Sequence, residues 1–159
     1  MSFHLTIEPE WNIISKIRQA IEKAEELSGQ NRDFMEATRL TAIELVENAL
    51  KYSDAGGGDR PVSFDFELNN QNDHITITVT NPCTDQKRKQ VLDETVAEIN
   101  GGDPFSLYVQ RLEALKDNPD GHSRMGLYRI AYEAEFKLSL QIKPAEVRIQ
   151  AVRKLEGVS

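Results

Sequence analysis

Two pairs of alternating segments constrain the fold of this chain more than any other feature. Apolar and polar residues alternate over residues 62–68 and 75–79, and they alternate again over residues 136–142 and 147–152. Alternation with a period of two is typical of a strand that buries one face. A polar turn separates the members of each pair, so the sequence predicts two antiparallel hairpins whose apolar faces need a covering layer.

Helical periodicity in the first third of the chain supplies part of that layer. A short strand over residues 3–7 precedes a helix over residues 11–27. A second helix follows and ends at about residue 52, with either Asn31 or Asp33 as its N-terminal cap. These two consecutive amphipathic helices are expected to pack on the apolar face of the sheet.

The segment between the two hairpins is also predicted to be helical. A span at about residues 83–122 carries two stretches of partial helical periodicity, and a further helix is predicted over residues 125–134. The long span is either a lid or partner surface, or simply a pair of packing helices. The predicted fold class is α+β, a two-layer α/β sandwich with helices on one face of a mixed, mainly antiparallel sheet. Residues 1–159 form a single domain in this interpretation.

Composition narrows the classes of function. The net charge of -7 argues against binding nucleic acid through a broad basic surface. The single cysteine, Cys83, excludes an intramolecular disulfide framework and favours a buried apolar role over a zinc site. The sequence has no secretory leader pattern and no apolar run of about 20 residues, so a cytoplasmic protein without a membrane segment is expected.

The candidate chemistry lies in residues 41–53, TAIELVENALKYS. On a helix, the polar residues of this segment share one arc, which contains Glu44, Glu47, Asn48 and Lys51. Glu44 and Asn48 are four residues apart, and their oxygen atoms suit Mg²⁺ that carries phosphates, with Lys51 one turn further along. The alternative is an ordinary solvated face in which Glu47 and Lys51 form an ion pair.

The order of elements together with ELVENALKYS resembles the histidine-kinase-like ATPase superfamily, also called GHKL or the Bergerat fold. The single-domain layout is most similar to the small anti-sigma-factor serine/threonine kinases of bacteria. The resemblance implies that Glu44 is the general base or orients the nucleophile, and that Asn48 binds Mg²⁺. It also implies that Lys51 lies near the phosphates of ATP.

The two glycine-rich boxes of that superfamily match less completely. The first, D-x-G-x-G, aligns with residues 81–85, where Asn81 is expected to accept a hydrogen bond from the adenine amino group. Both of its glycines are replaced, by Cys83 and Asp85.

The second box, G-x-G-L, aligns with residues 124–127, and only Gly126 and Leu127 agree with it. Arg124 replaces the first glycine of this box and either contacts phosphate through its guanidinium or fills the phosphate space itself.

Three hypotheses follow from the sequence. The first is an ATP- and Mg²⁺-dependent serine/threonine kinase of the anti-sigma type, which transfers the γ-phosphoryl group to a small anti-sigma-antagonist-like protein. By analogy with the family, such a kinase is expected to form a homodimer. The second is a nucleotide-free module of the same fold that regulates a sigma factor or another signalling partner through its helices and the 83–122 insertion. The third is an unrelated α+β sandwich in which the helix motif is accidental.

Overall fold

Five strands form one antiparallel sheet in the computed structural model, which describes residues 2–7, 12–52, 62–69, 73–117 and 125–156. The strands are β1 (Ser2–Ile7), β2 (Val62–Asn69), β3 (His74–Pro82), β4 (Lys137–Ile142) and β5 (Glu146–Lys154). Their spatial order is β1-β2-β3-β5-β4. Both predicted hairpins are confirmed. Every pairing among these strands is antiparallel, so the described sheet is more uniform than the mixed sheet expected.

The two faces of the sheet differ in polarity as the alternation predicts. Phe64, Phe66 and Ile77 point into the core and are at most 1% exposed. The opposite face carries polar pairs between neighbouring strands, such as Arg148 Nε donating to Thr80 Oγ1 at 3.3 Å. One face of the sheet therefore needs helices and the other does not.

The described helices are α1 (Asn12–Ser28), α2 (Arg32–Tyr52), α3 (Gln86–Gly101), α4 (Pro104–Asp117) and α5 (Met125–Tyr132). Gly29 adopts a φ of +67° after α1, the left-handed conformation that commonly ends a helix. Asn31 caps α2, because its Oδ1 accepts from the Phe34 amide at 2.8 Å, and this decides between the two predicted caps. The α+β sandwich is confirmed.

The last helix is shorter than predicted. It ends at Tyr132 instead of Ala134, and Glu135 then takes a φ of 58° that turns the chain into β4. Ala134 remains fully buried at this turn. Its burial explains why the helical pattern extended too far, because an apolar residue that packs inward from a turn looks the same in sequence as one on a helix.

The predicted helical span between the hairpins forms α3 and α4, and α3 is fastened to the sheet at two points. Lys89 is 3% exposed, and its ammonium donates to the carbonyl oxygens of Lys143 at 2.8 Å and Pro144 at 2.7 Å. Near the other end of α3, Asn100 Nδ2 donates to the Leu138 carbonyl oxygen at 2.9 Å. These bonds hold α3 along the β4 edge and the β4–β5 turn, as expected for a packing helix.

Two expectations from composition can be compared with the described residues. Cys83 is 2% exposed and lies in the main apolar core, which confirms its predicted burial. Within the described ranges, the helices fall short of the length and apolar character needed to cross a bilayer.

Candidate functional site

Helix α2 has the two arcs that its sequence predicts. The apolar arc is buried, with Ala42, Leu45 and Val46 at most 1% exposed. On the polar arc Glu47 and Lys51 are exposed, whereas Glu44 and Asn48 are only partly accessible. The two residues singled out for chemistry are therefore the ones that face the rest of the protein.

A cavity of about 340 Å³ lies where α2, β3, α3 and α5 meet. Asn48, Asn81 and Leu127, three of the residues predicted from sequence, line it together. Its size is within the range of about 300–1,000 Å³ that is typical of small-molecule sites. The other lining residues are Cys83, Asp85, Lys87, Arg88, Lys89, Val91, Leu92, Thr95 and Val147.

Asn81 lies at the end of β3, and the nitrogen of its side-chain amide makes a hydrogen bond within the protein. The side chain is 4% exposed, and its Nδ2 donates to the Pro82 carbonyl oxygen at 3.2 Å. The side-chain amide retains its oxygen as an acceptor and one N–H as a donor, and Asn81 is one of the residues that line the cavity. An amide oxygen at this position is suited to a ligand amino group.

Glu44 lies beside this cavity, in contact with α5. Its Oε1 accepts from Arg129 Nη1 at 3.1 Å, and its side chain is 18% exposed. On the same side, a β-carbon added at Gly126 would overlap Glu44 Oε2. Gly126 therefore contacts the sequence-predicted carboxylate directly, and the absence of a side chain there makes room for it.

Burial raises the pKa of Glu44 above its ordinary value. The nearby Arg129 guanidinium lowers this pKa, whereas the negative charges of Glu47 and Glu133 raise it further. Burial is the largest of these effects. A carboxylate with a raised pKa is a better proton acceptor than an exposed one, which is the property that a general base needs.

Arg129 joins Glu44 to two further residues. Its Nε donates to Glu133 Oε2 at 3.0 Å, and the Tyr108 hydroxyl donates to Glu133 Oε1 at 3.0 Å. A chain of contacts thus runs from α2 through α5 to α4. Sequence reasoning missed Arg129, because a partner 85 residues away leaves no local pattern. The i,i+4 spacing of Arg129 and Glu133 was the only signal present, and it is common on helix surfaces.

The residues that replace the first glycine box are used for internal bonds. The Cys83 amide donates to the Ala145 carbonyl oxygen at 3.1 Å. The Asp85 carboxylate caps α3, because its Oδ1 accepts from the amides of Lys87 at 2.9 Å and Arg88 at 3.2 Å. This segment therefore forms a turn into a helix, and Asp85 adds a negative charge to the cavity wall.

The side chains around the cavity fit a nucleotide in part. Leu92, Leu127 and Val147 offer an apolar slot for a base, and Lys87 and Arg88 offer positive charge for phosphates. Asn48 supplies an amide oxygen of the kind that Mg²⁺ accepts when phosphates and water complete its shell. The described residues contain no cluster of three His, Cys, Asp or Glu side chains that would hold a metal by itself.

Three predicted site residues in the described ranges do not line the cavity. Two of them, Glu44 and Gly126, contact each other beside it. Lys51 is exposed on α2, and it is not among the lining residues. Arg124 lies outside the described residues. Its expected contact with phosphate therefore stays a prediction.

The fold is shared with a solved structure. The chain is similar to a chain in "The crystal structure of SiaB-SiaC complex from Pseudomonas aeruginosa", with a TM-score of 0.69 and 18% sequence identity. The match covers 96% of this chain and 89% of that chain. No family model matches this sequence, and no curated protein matches it significantly. Comparison with known proteins thus establishes the overall fold of this chain.

Proposed function

We propose that this chain is an ATP-binding regulatory protein that acts as a serine/threonine protein kinase on a small protein partner in bacterial signalling. One observation carries the proposal. Asn48 from α2, Asn81 from β3 and Leu127 from α5 are distant in sequence, yet they line the same cavity. The sequence suggests Asn48 for Mg²⁺, Asn81 for adenine and Leu127 as part of the second glycine box. Their convergence is unlike what an accidental motif predicts.

Each residue has a defined role in the proposed reaction. ATP supplies the γ-phosphoryl group, and Mg²⁺ neutralises charge on its phosphates. Asn81 accepts a hydrogen bond from the base, and Asn48 holds the metal through its amide oxygen. Glu44 would orient the partner's serine or threonine hydroxyl and accept its proton as that oxygen bonds to the γ-phosphorus. The bond from this phosphorus to the β,γ-bridging oxygen would break at the same time, and ADP would leave.

A protein partner is part of the proposal for two reasons. The proposed phosphoryl transfer needs a serine or threonine acceptor, and the chain matched by fold comes from a complex of two proteins. By the family resemblance, the partner class is a sigma factor or an anti-sigma-antagonist-like protein. Both would be recognised through protein contacts, consistent with the net charge of -7.

A nucleotide-free module that binds a partner is the second candidate. The specific observation in its favour is the fate of the first glycine box, where the Cys83 amide and the α3 cap at Asp85 are engaged inside the protein. Backbone donors used in this way are not available to phosphates. The negative charge of Asp85 also opposes phosphate in the same cavity.

Calorimetric titration of ATP and ADP into the full chain, with and without Mg²⁺, separates these candidates. The kinase proposal predicts metal-dependent binding that Asn48→Ala weakens, with Asn69→Ala as a control amide outside the cavity. Binding that is absent at millimolar nucleotide would overturn the proposal and favour the nucleotide-free module.

The catalytic assignment has its own test in the transfer of labelled γ-phosphate to serine or threonine of candidate partner proteins. Glu44→Gln is expected to bind ATP but to lose transfer, because the amide cannot accept the hydroxyl proton. Glu47→Gln on the exposed part of the same helix is the matched control. Undiminished transfer by Glu44→Gln would remove Glu44 from the reaction.

A further inference from the structure

Arg129 is the principal positive charge in contact with the candidate general base. Its Nη1 lies 3.1 Å from Glu44 Oε1, and the side chains of the pair are 39% and 18% exposed. Partial burial makes this contact stronger than a fully solvated pair, because water screens it less. Helix α5 thus provides a donor for one carboxylate oxygen, while Gly126 provides space for the other.

Arg129 is itself held in place from two sides. Its Nε donates to Glu133, the residue that follows the end of α5, and Glu133 also accepts from the Tyr108 hydroxyl of α4. A guanidinium that bridges two carboxylates uses its planar fork in a way that a lysine ammonium does not reproduce. The orientation of Glu44 is therefore coupled to the packing of α4 on α5.

We propose that Arg129 is a positioning residue, which fixes the Glu44 carboxylate between α2 and α5 in the orientation required at the nucleotide cavity. This inference rests on the proposed function, because only the proposed reaction requires an oriented carboxylate. The contact between Arg129 and Glu44 itself does not depend on a bound nucleotide. The inference assigns a specific task to a residue outside the motifs that suggested the site. Glu133 in turn holds Arg129 through a hydrogen bond, and Tyr108 holds Glu133.

The test is an NMR titration of the Glu44 carboxyl carbon in protein labelled at glutamate, with Glu44→Gln used to assign the signal. The charges that face Glu44 are Arg129 on α5, Glu133 just after α5, and Glu47 on α2 itself. Replacing Arg129 by a neutral residue removes the attraction and leaves both repulsions. Arg129→Met and Arg129→Gln are each expected to move the Glu44 midpoint upward.

Two further variants make the result specific. Arg111→Met removes the same charge from a residue that lies over the Tyr128 ring, 5.7 Å from its centroid, and it is expected to leave the Glu44 midpoint in place. Arg129→Lys keeps the charge without the fork, so its shift should be smaller than that of Arg129→Met. Either neutral variant suffices if the other fails to fold.

The outcomes separate this inference from the proposed function. A midpoint that is unchanged in Arg129→Met or Arg129→Gln, or that moves equally in Arg111→Met, would overturn the role of Arg129. If the midpoint rises but the wild-type protein binds no Mg-ATP, the contact stands and the kinase proposal fails.

If the wild-type protein binds Mg-ATP, Arg129→Met is expected to retain that affinity and lose phosphoryl transfer, because Arg129 contacts Glu44 and not the cavity. Retained transfer in a variant with a raised midpoint would overturn the positioning role.

Discussion

Substitution of Gly126 by alanine is the most direct test of how closely α5 approaches Glu44. The new β-carbon would overlap Glu44 Oε2 and lie 3.2 Å from its Cδ. The carboxylate is the far end of a flexible side chain, but Arg129 holds its other oxygen. Glu44 must therefore leave Arg129 or α5 must shift, and either response costs free energy.

The magnitude follows from two opposing effects. Overpacking of a well-filled site typically costs about 1–3 kcal/mol. Alanine in place of glycine within a helix stabilises the helix by up to about 1 kcal/mol. We therefore expect Gly126→Ala to lower the free energy of unfolding by about 1 kcal/mol in the wild-type background. In a Glu44→Ala background the overlap is absent, and the same change should stabilise the protein by about 0.5–1 kcal/mol.

Urea unfolding of the four proteins in this double-mutant cycle measures the coupling, which is expected to be about 2 kcal/mol from the sum of these effects. Gly101→Ala is the matched control, because a β-carbon at Gly101 meets nothing within 4 Å. The reasoning is refuted if Gly126→Ala has the same effect in both backgrounds. It is equally refuted if Gly126→Ala behaves like Gly101→Ala.

Two further predictions concern α3. Lys89→Met should lower the free energy of unfolding by about 2–3 kcal/mol, since two carbonyl oxygens lose a charged donor. Urea unfolding measures this, with the exposed Lys87→Met as the control. Equal unfolding midpoints for the two variants would contradict the prediction. Asp85→Asn should keep the α3 cap, with a change in stability below about 0.5 kcal/mol, yet tighten ATP binding because a negative charge leaves the cavity wall. Calorimetry against exposed Asp93→Asn tests this second prediction, which fails if the ATP affinities are equal.

The parts of the fold that could be predicted from sequence are those whose pattern is local. Alternation over β2 and β3 predicts the hairpin because each strand buries one face, and that burial is observed. Asn31 is one of the two caps predicted from sequence. An N-terminal cap is predictable because its side chain accepts from a backbone amide only a few residues away. Glu44 and Asn48 were recognisable because their i,i+4 spacing is itself a local property.

The remaining features depend on contacts between distant segments. Lys89 looks like an ordinary surface lysine in sequence, and only the arrival of the β4–β5 turn gives its ammonium two carbonyl partners. The pairing of Arg129 with Glu44 depends in the same way on how α5 packs against α2. Charged residues at such positions have the same local pattern as solvated ones, so sequence reasoning assigns them to the surface.

The sheet order has a consequence for how the chain folds. The α1–α2 pair and the β2–β3 hairpin join neighbouring segments, so these units close short loops. The central ladder instead joins β3 to β5, and its register pairs His74 with Lys154. Loop closure over such a separation is slow, because the entropy cost precedes the contacts that repay it. We therefore expect docking of the second hairpin onto β3 to limit the folding rate, and the cavity wall at Val147 to form only in that last step.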